Sequence, residues 1–335
     1  MIRALAAKSQ TSALVPFEFD PGTLRPDQVD IKVESCGVCH SDLSMEKNDW
    51  GMTAYPFVPG HEVIGTISAI GGEKRHLKLG EHVGLGWFSG SCLTCNFCLG
   101  GDQNLCKTSE QTIVGRYGGF ASHVRTQALW ATPIPAAMDA ASAGPLLCGG
   151  ITVFNPLTQF DVKPFHRVGV IGIGGLGHLA LQFLNAWGCE VSAFTSSSGK
   201  ADEAKKLGAH KVVDSKSDAE MAAIAGSLNF ILSTANADLN WGQLVACLAP
   251  KGRLHFVGAV PSPVSLQVFP MSVSQASISA SPLGSPSTTR TMLGFCTRHN
   301  IKPAVEYFPM SKANEALEHL EAGKVRFRIV LKNDL

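Results

Sequence analysis

The chain has 335 residues, of which 45% are hydrophobic and 16% charged, and its formal net charge is +1. That length is sufficient for two domains with separate cores. The chain has no long basic run, so nucleic acid and anionic membrane surfaces are not expected partners. It has no apolar run of bilayer-spanning length, and MIRALAAKSQTS lacks the apolar core of a signal peptide, so we expect a cytoplasmic protein. Its ten Cys then favour metal ligation over disulfides.

Short strands and turns are predicted for the first part of the chain. A turn at 20–22 separates two strands, the second of which alternates between apolar and polar residues over 29–34. Residues 63–67 and 81–86 have the pattern of further strands interrupted by glycine. We therefore expect a β-rich first domain, arranged as a small barrel.

Within this region, CGVCHSDLSMEKNDWGMTAYPFVPGHE at 36–62 presents a thiol and an imidazole from two separate turns. Cys39 precedes a histidine, and His61 follows a Pro-Gly step that fixes a turn. A metal held by both needs a third ligand, for which Cys148 in GPLLCGG is the best candidate. Two thiolates and one imidazole leave one tetrahedral position open, as in catalytic zinc sites. The alternative is that all three are ordinary buried residues.

A second group of thiols lies in a Gly-rich lobe at 90–108. Cys92, Cys95, Cys98 and Cys106 have the spacing C-x2-C-x2-C-x7-C, which suits a closed zinc site with four thiolate ligands. Such a site stabilises the lobe and takes no part in chemistry. An iron–sulfur cluster is an alternative occupant. A nucleic-acid-binding zinc ribbon is disfavoured, because Lys107 is the one basic residue of the lobe.

A different pattern begins at Arg167. Residues 168–171 read as a buried strand, GIGGLG at 172–177 matches G-x-G-x-x-G, and the following residues have the apolar spacing of an amphipathic helix. In this context the motif predicts a dinucleotide site, where glycines let the backbone approach a pyrophosphate at the helix N-terminus. The candidate cofactor contacts are Gly172, Gly174, Gly175, Leu176 and Gly177, with Val257 and Gly258 at the end of a later strand.

The strand predicted at 190–194 ends in hydroxyl-bearing residues. An NAD site usually has an acidic residue about 20 positions past the glycine motif, where it binds the ribose 2′-hydroxyl. This chain has Thr195, Ser196, Ser197 and Lys200 there, so no carboxylate repels a 2′-phosphate and one ammonium group attracts it. We therefore predict NADP(H) as the cofactor. The alternative is a solvated polar loop.

Strands and helices alternate through the remaining sequence. Their pattern between 201 and 257 predicts a doubly wound parallel sheet. The segment 273–280 alternates with little charge, and we expect it at a sheet edge that pairs with a second subunit in a homodimer. Beyond residue 288 the pattern predicts two helices and two strands, the last strand at 325–331. These elements indicate that the chain returns to the first domain.

GVCHSD at 37–42, PGHE at 59–62, the four-cysteine lobe, GPLLCGG and GIGGLG occur in this order in zinc-dependent medium-chain alcohol dehydrogenases. The chain resembles that family nearly end to end. Within it the sequence is most similar to the cinnamyl alcohol dehydrogenase branch, and there to bacterial NADPH-dependent broad-specificity aldehyde reductases. The resemblance implies an α/β fold: a GroES-like β-rich catalytic domain, 1–150 with 290–335, and a Rossmann doubly wound cofactor domain, 151–289.

The resemblance also implies roles for the candidate metal ligands and their neighbours. Cys39, His61 and Cys148 match the ligands of catalytic zinc, and the four lobe thiols match those of structural zinc. Glu62 is implied to lie beside the metal and to ligate it when water or substrate leaves. Asp42 is implied to orient His61 and so to fix its tautomer.

The implied reaction is the reversible reduction of small-molecule aldehydes to primary alcohols. Zinc polarises the aldehyde oxygen, the nicotinamide delivers hydride, and Ser41 supplies the proton. Many plant members have a histidine at the position of Ser44, so here His40 or water completes the relay. We expect an apolar pocket, with Trp50 and Trp87 as candidate walls. The alternatives are an NAD-dependent secondary-alcohol or polyol dehydrogenase, a zinc-free quinone reductase and a non-catalytic NADP-binding sensor or structural protein.

Overall fold

The computed structural model describes residues 1–72, 76–196 and 198–335. They form two compact units, Met1–Ile151 with Gly284–Leu335, and Thr152–Leu283. Within these described ranges, no helix combines the length and the apolarity needed to cross a bilayer.

Short strands dominate the first 150 residues, as their alternation predicts. The strands are β1 (Ile2–Ala6), β2 (Val15–Phe19), β3 (Gln28–Val38), β4 (Val63–Ile70), β5 (His82–Leu85), β6 (Phe88–Gly90), β7 (Glu110–Gln111), β8 (His123–Gln127) and β9 (Thr132–Pro133). The helices are α1 (His40–Glu46), α2 (Asn96–Leu99), α3 (Ala140–Ala143) and α4 (Gly149–Gln159). The apolar residues Val29, Ile31 and Val33 of β3 are buried. β3 pairs with β4, β8 and a strand from the chain's end, so it lies at the centre of its sheet.

The second unit is a parallel sheet with helices between its strands. Its strands are β10 (Arg167–Ile171), β11 (Glu190–Thr195), β12 (Lys211–Asp214), β13 (Leu228–Ser233), β14 (Leu248–Phe256) and β15 (Ser277–Ala280). Its helices are α5 (Gly177–Trp187), α6 (Ala201–Lys206), α7 (Asp218–Ile224), α8 (Trp241–Ala246) and α9 (Val268–Ser274). The strand order is β12-β11-β10-β13-β14-β15, and each neighbouring pair is parallel. The predicted doubly wound sheet is confirmed.

The last part of the chain returns to the first unit, as predicted. Its elements are α10 (Pro286–His299), β16 (Val305–Pro309), α11 (Ala313–Glu321) and β17 (Arg328–Lys332). The first unit's large sheet has the order β16-β17-β3-β4-β5-β9, with β8 paired to β3. β17 pairs antiparallel with β3, which places residues from the two ends of the sequence beside each other.

Two predicted strands are wrong in extent. Val273 and Ser274 belong to α9, and the edge strand covers only Ser277–Ala280. Phe269 and Val273 are four residues apart, a spacing that the helix places on one face, so the apolar pattern here has the period of a helix. The final strand begins at Arg328 instead of residue 325.

Candidate active site

Four side chains that carry potential metal-ligand atoms converge in the first unit. One ligand atom each from Cys39, His61, Glu62 and Cys148 lies within 4.8 Å of the others. The Sγ atoms of Cys39 and Cys148 are 4.0 Å apart. Two thiolates bound at about 2.3 Å to one tetrahedral zinc ion are about 3.8 Å from each other. The arrangement therefore has the dimensions of a zinc site, although the two cysteines are 109 positions apart in the chain.

Close backbone packing brings these segments together. Gly60, in the turn before His61, has φ +104°, and a Cβ there would lie 2.7 Å from the backbone nitrogen of Phe120. A Cβ on Gly144 would lie 2.6 Å from the carbonyl oxygen of Glu62. Gly144 opens the 3-10 turn that leads to Cys148, so its lack of a side chain allows the Cys148 segment to approach His61 and Glu62.

Asp42 joins two of the converging segments. Its Oδ2 accepts a hydrogen bond from the amide of Cys39 at 3.0 Å, and its Oδ1 accepts one from the amide of Gly60 at 2.8 Å. Oδ1 also lies 3.0 Å from Nδ1 of His61. A carboxylate only accepts, so Nδ1 carries the proton and Nε2 is left with its lone pair. Asp42 thus sets both the position and the tautomer of His61.

Two buried polar atoms of this cluster lack a hydrogen-bond partner among the described residues. They are Nε2 of His61 and Oε2 of Glu62. Both residues have no solvent exposure, and buried polar atoms in native proteins are nearly always satisfied. Two thiols, a buried imidazole lone pair and a carboxylate oxygen are the donor set that a divalent zinc ion requires, so the residues present fit that metal.

Arg328 is a component of this site that the sequence analysis misses. Its guanidinium donates a hydrogen bond to Oε1 of Glu62, and the two side chains are 4% and 0% exposed. Gly37 in β3 leaves room for Glu62, since a Cβ on Gly37 would lie 2.0 Å from its Oε2. A charged residue at the first position of β17, directly before the apolar residues IVL, is the signal that could have identified Arg328.

The groups in this cluster change one another's proton affinity. The hydrogen bond between the two thiols lowers the pKa of Cys39 well below its ordinary value and raises that of Cys148. Burial lowers the pKa of His61, but the charges and hydrogen bonds of Asp42 and Cys39 together outweigh burial and raise it well above its ordinary value. Burial raises the pKa of Glu62 to about 7, against the attraction of Arg328. A divalent cation would relieve the repulsion between the Cys39 thiolate and the Glu62 carboxylate.

The candidate relay residues lie at the start of α1. Ser41 is half-buried, and its Oγ is 3.8 Å from Sγ of Cys39. His40 is exposed to solvent. Trp87 packs edge-on against His61 with 5.1 Å between ring centroids, and Trp50 lies 6.0 Å from Trp87. These aromatic side chains form an apolar surface directly beside the buried cluster.

The four lobe thiols form a separate group, Cys92, Cys95, Cys98 and Cys106, whose Sγ atoms all lie within 4.8 Å of one another. Sγ of Cys92 and Sγ of Cys98 are 3.8 Å apart, which again matches two thiolates on one tetrahedral ion. The amide of Cys95 donates to Sγ of Cys92 at 3.3 Å. Such backbone hydrogen bonds lower the pKa of Cys92 to about 5 and favour its thiolate form.

Some of the candidate cofactor residues line a cavity of about 410 Å³ in the second unit. Gly172, Thr195, Ser196 and Lys200 line it, together with apolar side chains from β10, β11, α7 and α8. Ser197, the remaining candidate in this loop, lies outside the described residues. The cavity therefore combines hydroxyl groups and an ammonium group with an apolar wall.

The glycine-rich turn beside this cavity has the backbone geometry of a phosphate cradle. Gly172 has φ +87°, and a Cβ on Gly177 would lie 1.9 Å from the carbonyl oxygen of Gly172. A Cβ on Gly174 would meet no described heavy atom within 4 Å, so the turn presents open backbone there. Gly175 follows in the turn and Leu176 is the cap residue of α5. These features fit a pyrophosphate at the start of the helix.

Val257 and Gly258 follow β14, and their amides donate to the carbonyl oxygen of Ser233 at 3.0 and 3.2 Å. A Cβ on Gly258 would lie 2.3 Å from the carbonyl oxygen of Ala235. Glycine is therefore needed here for the close packing of two strand ends in the second unit.

The family models identify both parts of the chain. Residues 25–136 match the alcohol dehydrogenase GroES-like domain, and residues 175–298 match the zinc-binding dehydrogenase model. The aldehyde reductase AdhA of Synechocystis sp. is 53% identical over 333 residues, which cover 99% of each chain.

Solved structures agree with this placement. A cinnamyl alcohol dehydrogenase of Sorghum bicolor superposes with a TM-score of 0.93 at 34% identity, over 99% of this chain and 97% of the other. The cinnamyl alcohol dehydrogenase of Helicobacter pylori, solved with NADP(H), gives a TM-score of 0.90 at 28% identity over the same shares. The chain belongs to the zinc-dependent medium-chain alcohol dehydrogenases, in the cinnamyl alcohol dehydrogenase branch.

Proposed function

We propose that this chain is a zinc-dependent oxidoreductase that reduces a broad range of aldehydes to primary alcohols with NADPH, reversibly. The observation that carries the proposal is the convergence of Cys39, His61 and Cys148, with Nε2 of His61 buried and unpaired. Three ligands leave one tetrahedral position for a substrate oxygen. In this proposal the catalytic domain comprises 1–150 with 290–335, and the cofactor domain comprises 151–289.

The proposed metal sites differ in role. Cys39, His61 and Cys148 would hold catalytic zinc, and the carboxylate of Glu62 could serve as an additional ligand. Cys92, Cys95, Cys98 and Cys106 hold structural zinc. Zinc in the catalytic site supplies a Lewis acid toward a carbonyl or alcohol oxygen, and NADPH supplies the hydride.

The residues around the catalytic ligands position groups and move a proton. Asp42 holds His61 in the tautomer that offers Nε2. The hydroxyl of Ser41, beside Cys39, donates the proton that the alcohol product needs. The exposed His40, or water, returns a proton to Ser41 from solvent. Trp87 and Trp50 exclude water from one side of the site and favour an apolar substrate.

The choice of NADP(H) is supported by the loop after β11. The cavity there presents Thr195, Ser196 and Lys200 where NAD-dependent enzymes have a carboxylate. We assign Gly172, Gly174 and the following residues to the pyrophosphate, and Val257 and Gly258 to the nicotinamide half. The related cinnamyl alcohol dehydrogenase of Helicobacter pylori, which was solved with NADP(H), supports the same choice.

We also propose a homodimer in the cytoplasm. β15 is an edge strand of the second unit's sheet, and edges of this kind are covered by pairing. Val268, Phe269 and Val273 of the neighbouring α9 expose 73%, 80% and 73% of their surfaces, which favours a subunit contact. The two thiol clusters stay competent for zinc in a reducing compartment.

A cofactor-by-substrate panel on the purified protein tests the function. We expect faster turnover with NADPH than with NADH on aliphatic and aromatic aldehydes, and two zinc ions per chain, one for each cluster. A preference for NADH with secondary alcohols or polyols would refute the cofactor and substrate assignment. NADPH binding without turnover of any aldehyde would favour a sensor instead.

A further inference from the structure

The cofactor cavity contains a second lysine that the sequence analysis does not identify. Besides Lys200, the loop after β12 contributes Ser215 and Lys216 to its lining. Asp238 is the other charged residue that lines the cavity. Its Oδ2 accepts a hydrogen bond from the hydroxyl of Ser262 at 2.8 Å. The charged groups of this cavity are thus two ammonium groups and one carboxylate that already has a donor.

The parallel register of the sheet places the Lys216 loop beside the hydroxyl loop. β11 and β12 are neighbours, with Thr195 opposite Asp214. Immediately beyond this pair, the amide of Ser215 donates to the carbonyl oxygen of Thr195 at 3.1 Å. Because carboxyl ends of parallel strands share one edge of the sheet, Lys216 flanks the loop that carries Ser196.

The backbone of Lys216 is held in place by side chains. Its amide donates to Oδ1 of Asp214 at 2.9 Å, and the amide of Asp214 donates to Oε2 of Glu220 at 2.7 Å. The amide of Ser217 donates to the carbonyl oxygen of Asp214 at 3.0 Å. Binding a ligand then requires ordering only the lysine side chain, not the loop.

The two cavity lysines differ in their partners from Lys211, the first residue of β12. Lys211, at the opposite end of β12, forms an ion pair with Glu190 at 2.6 Å. Within the part of the chain that the structure describes, neither Lys200 nor Lys216 forms an ion pair. Of the three carboxylates nearest to Lys216 in sequence, Asp214 and Glu220 accept hydrogen bonds from backbone amides, and Oδ1 of Asp218 accepts one from the side-chain amide of Gln243 at 3.5 Å. Both ammonium groups therefore remain available for an anionic ligand.

We propose that Lys216 is a second cationic contact for the 2′-phosphate of NADPH, acting with Lys200 from the opposite side of the hydroxyl loop. The inference rests on the proposed use of NADPH. A phosphate monoester carries a charge of about −1.5 to −2 at pH 7, and two flanking ammonium groups match it better than one. NADH has no phosphate at this position, so Lys216 discriminates between the two cofactors.

Binding measurements on the full-length protein test this role. Calorimetric or fluorescence titrations would compare NADPH with NADH, and 2′,5′-ADP with 5′-AMP, for wild type, Lys216→Gln, Lys200→Gln and the control Lys211→Gln. We expect Lys216→Gln to weaken NADPH and 2′,5′-ADP binding about three- to tenfold in low salt, with NADH and 5′-AMP changed less than about twofold. The Lys211→Gln variant removes the same charge and should leave all four Kd values near those of wild type.

The outcomes separate this inference from the cofactor proposal. Loss of affinity for phosphorylated ligands in both Lys200→Gln and Lys216→Gln supports the two-lysine contact, more so if the loss shrinks as salt rises. Loss in Lys200→Gln alone overturns the role of Lys216 and leaves NADP(H) standing. Equal losses in Lys216→Gln and Lys211→Gln also overturn it, because only net charge would matter. A wild type that binds NADPH no better than NADH overturns both proposals.

Discussion

The two thiol clusters use similar ligands but are built in opposite ways. Cys92 and Cys106 are separated by 14 positions in one lobe, whereas Cys39 and Cys148 are separated by 109. The lobe cluster consists of four thiols, and Cys92 is exposed to solvent. The other cluster mixes thiols with an imidazole and a carboxylate, and His61 and Glu62 are fully buried. Sulfur–sulfur distances of 3.8 and 4.0 Å nevertheless suit the same metal.

The difference lies in what holds the ligands. Local turns and backbone N–H···S hydrogen bonds position the lobe thiols, and the zinc proposed for the lobe would stabilise its fold. The buried cluster is positioned by the central sheet, by Asp42 and by the Arg328–Glu62 pair. A site held by its scaffold can leave one coordination position open, and that opening is where chemistry is possible.

The largest expected effect is on turnover, from Cys148→Ala. Removal of this ligand should lower kcat with aldehydes by about 10³-fold or more, because several kcal/mol of Lewis-acid stabilisation is lost. Zinc content should fall from two per chain to one, while NADPH binding stays near wild type. Cys247→Ala is the matched control, since Cys247 is a buried cysteine of the second unit that belongs to neither cluster. Full turnover in Cys148→Ala would remove this cluster from the mechanism.

Arg328→Met tests the scaffold of the buried cluster. It leaves the Glu62 carboxylate buried without its partner, which should lower the free energy of unfolding by about 3–5 kcal/mol in a urea titration. The double variant with Glu62→Gln should recover much of the lost free energy of unfolding, because the unpaired buried charge is removed. Arg125→Met, at the more accessible Arg125–Asp30 pair, should cost less than Arg328→Met. Equal losses of unfolding free energy in Arg328→Met and Arg125→Met would mean that burial of the Arg328–Glu62 pair does not increase its contribution to stability.

Asp42→Asn tests whether the contact between Asp42 and His61 affects zinc affinity at the buried cluster and not at the lobe. The amide can still accept a hydrogen bond but carries no charge, and we expect zinc affinity at this cluster to fall about 10- to 100-fold. The lobe should retain its zinc under the same chelator concentration. Competition with a chelating dye measures the zinc affinity of each cluster. The expected result is that one zinc ion per chain is released at a lower dye concentration than the other. If the variant loses zinc from the two clusters at the same chelator concentrations as wild type does, Asp42 does not act selectively on the buried cluster.

The sequence predicts the local features of this molecule well. The four-cysteine spacing, the strand before GIGGLG and the apolar helix after it are each encoded within about 30 residues, so periodicity and motif spacing are sufficient. The doubly wound sheet follows from their alternation and is confirmed. The candidate ligands Cys39, His61 and Cys148 lie close together. Their role in metal binding stays a prediction.

The features that the sequence does not reveal depend on contacts between distant segments. Arg328 and Glu62 are 266 positions apart in the chain. They meet only because β17 pairs with β3. Lys216 joins the cofactor cavity through the register of β12 on β11. Val273 has the same alternating neighbours as a strand residue but lies in a helix with its side chain exposed. For Arg328 and Lys216, tertiary pairing and not local propensity decides the outcome, whereas Val273 follows the four-residue spacing of a helix.

Cys95→Ala should have the smallest effect on chemistry and so completes the comparison. Loss of one lobe thiol should release the lobe's zinc and lower Tm by about 4–8 °C, corresponding to about 2 kcal/mol. Turnover per folded molecule should change less than about threefold, because the catalytic ligands are held by the sheet and not by the lobe. Thermal unfolding, zinc analysis and kcat measured on the same preparation separate these effects. Retained Tm with lost turnover would reverse the roles assigned to the two clusters, since the lobe cluster would then serve catalysis and the other cluster stability.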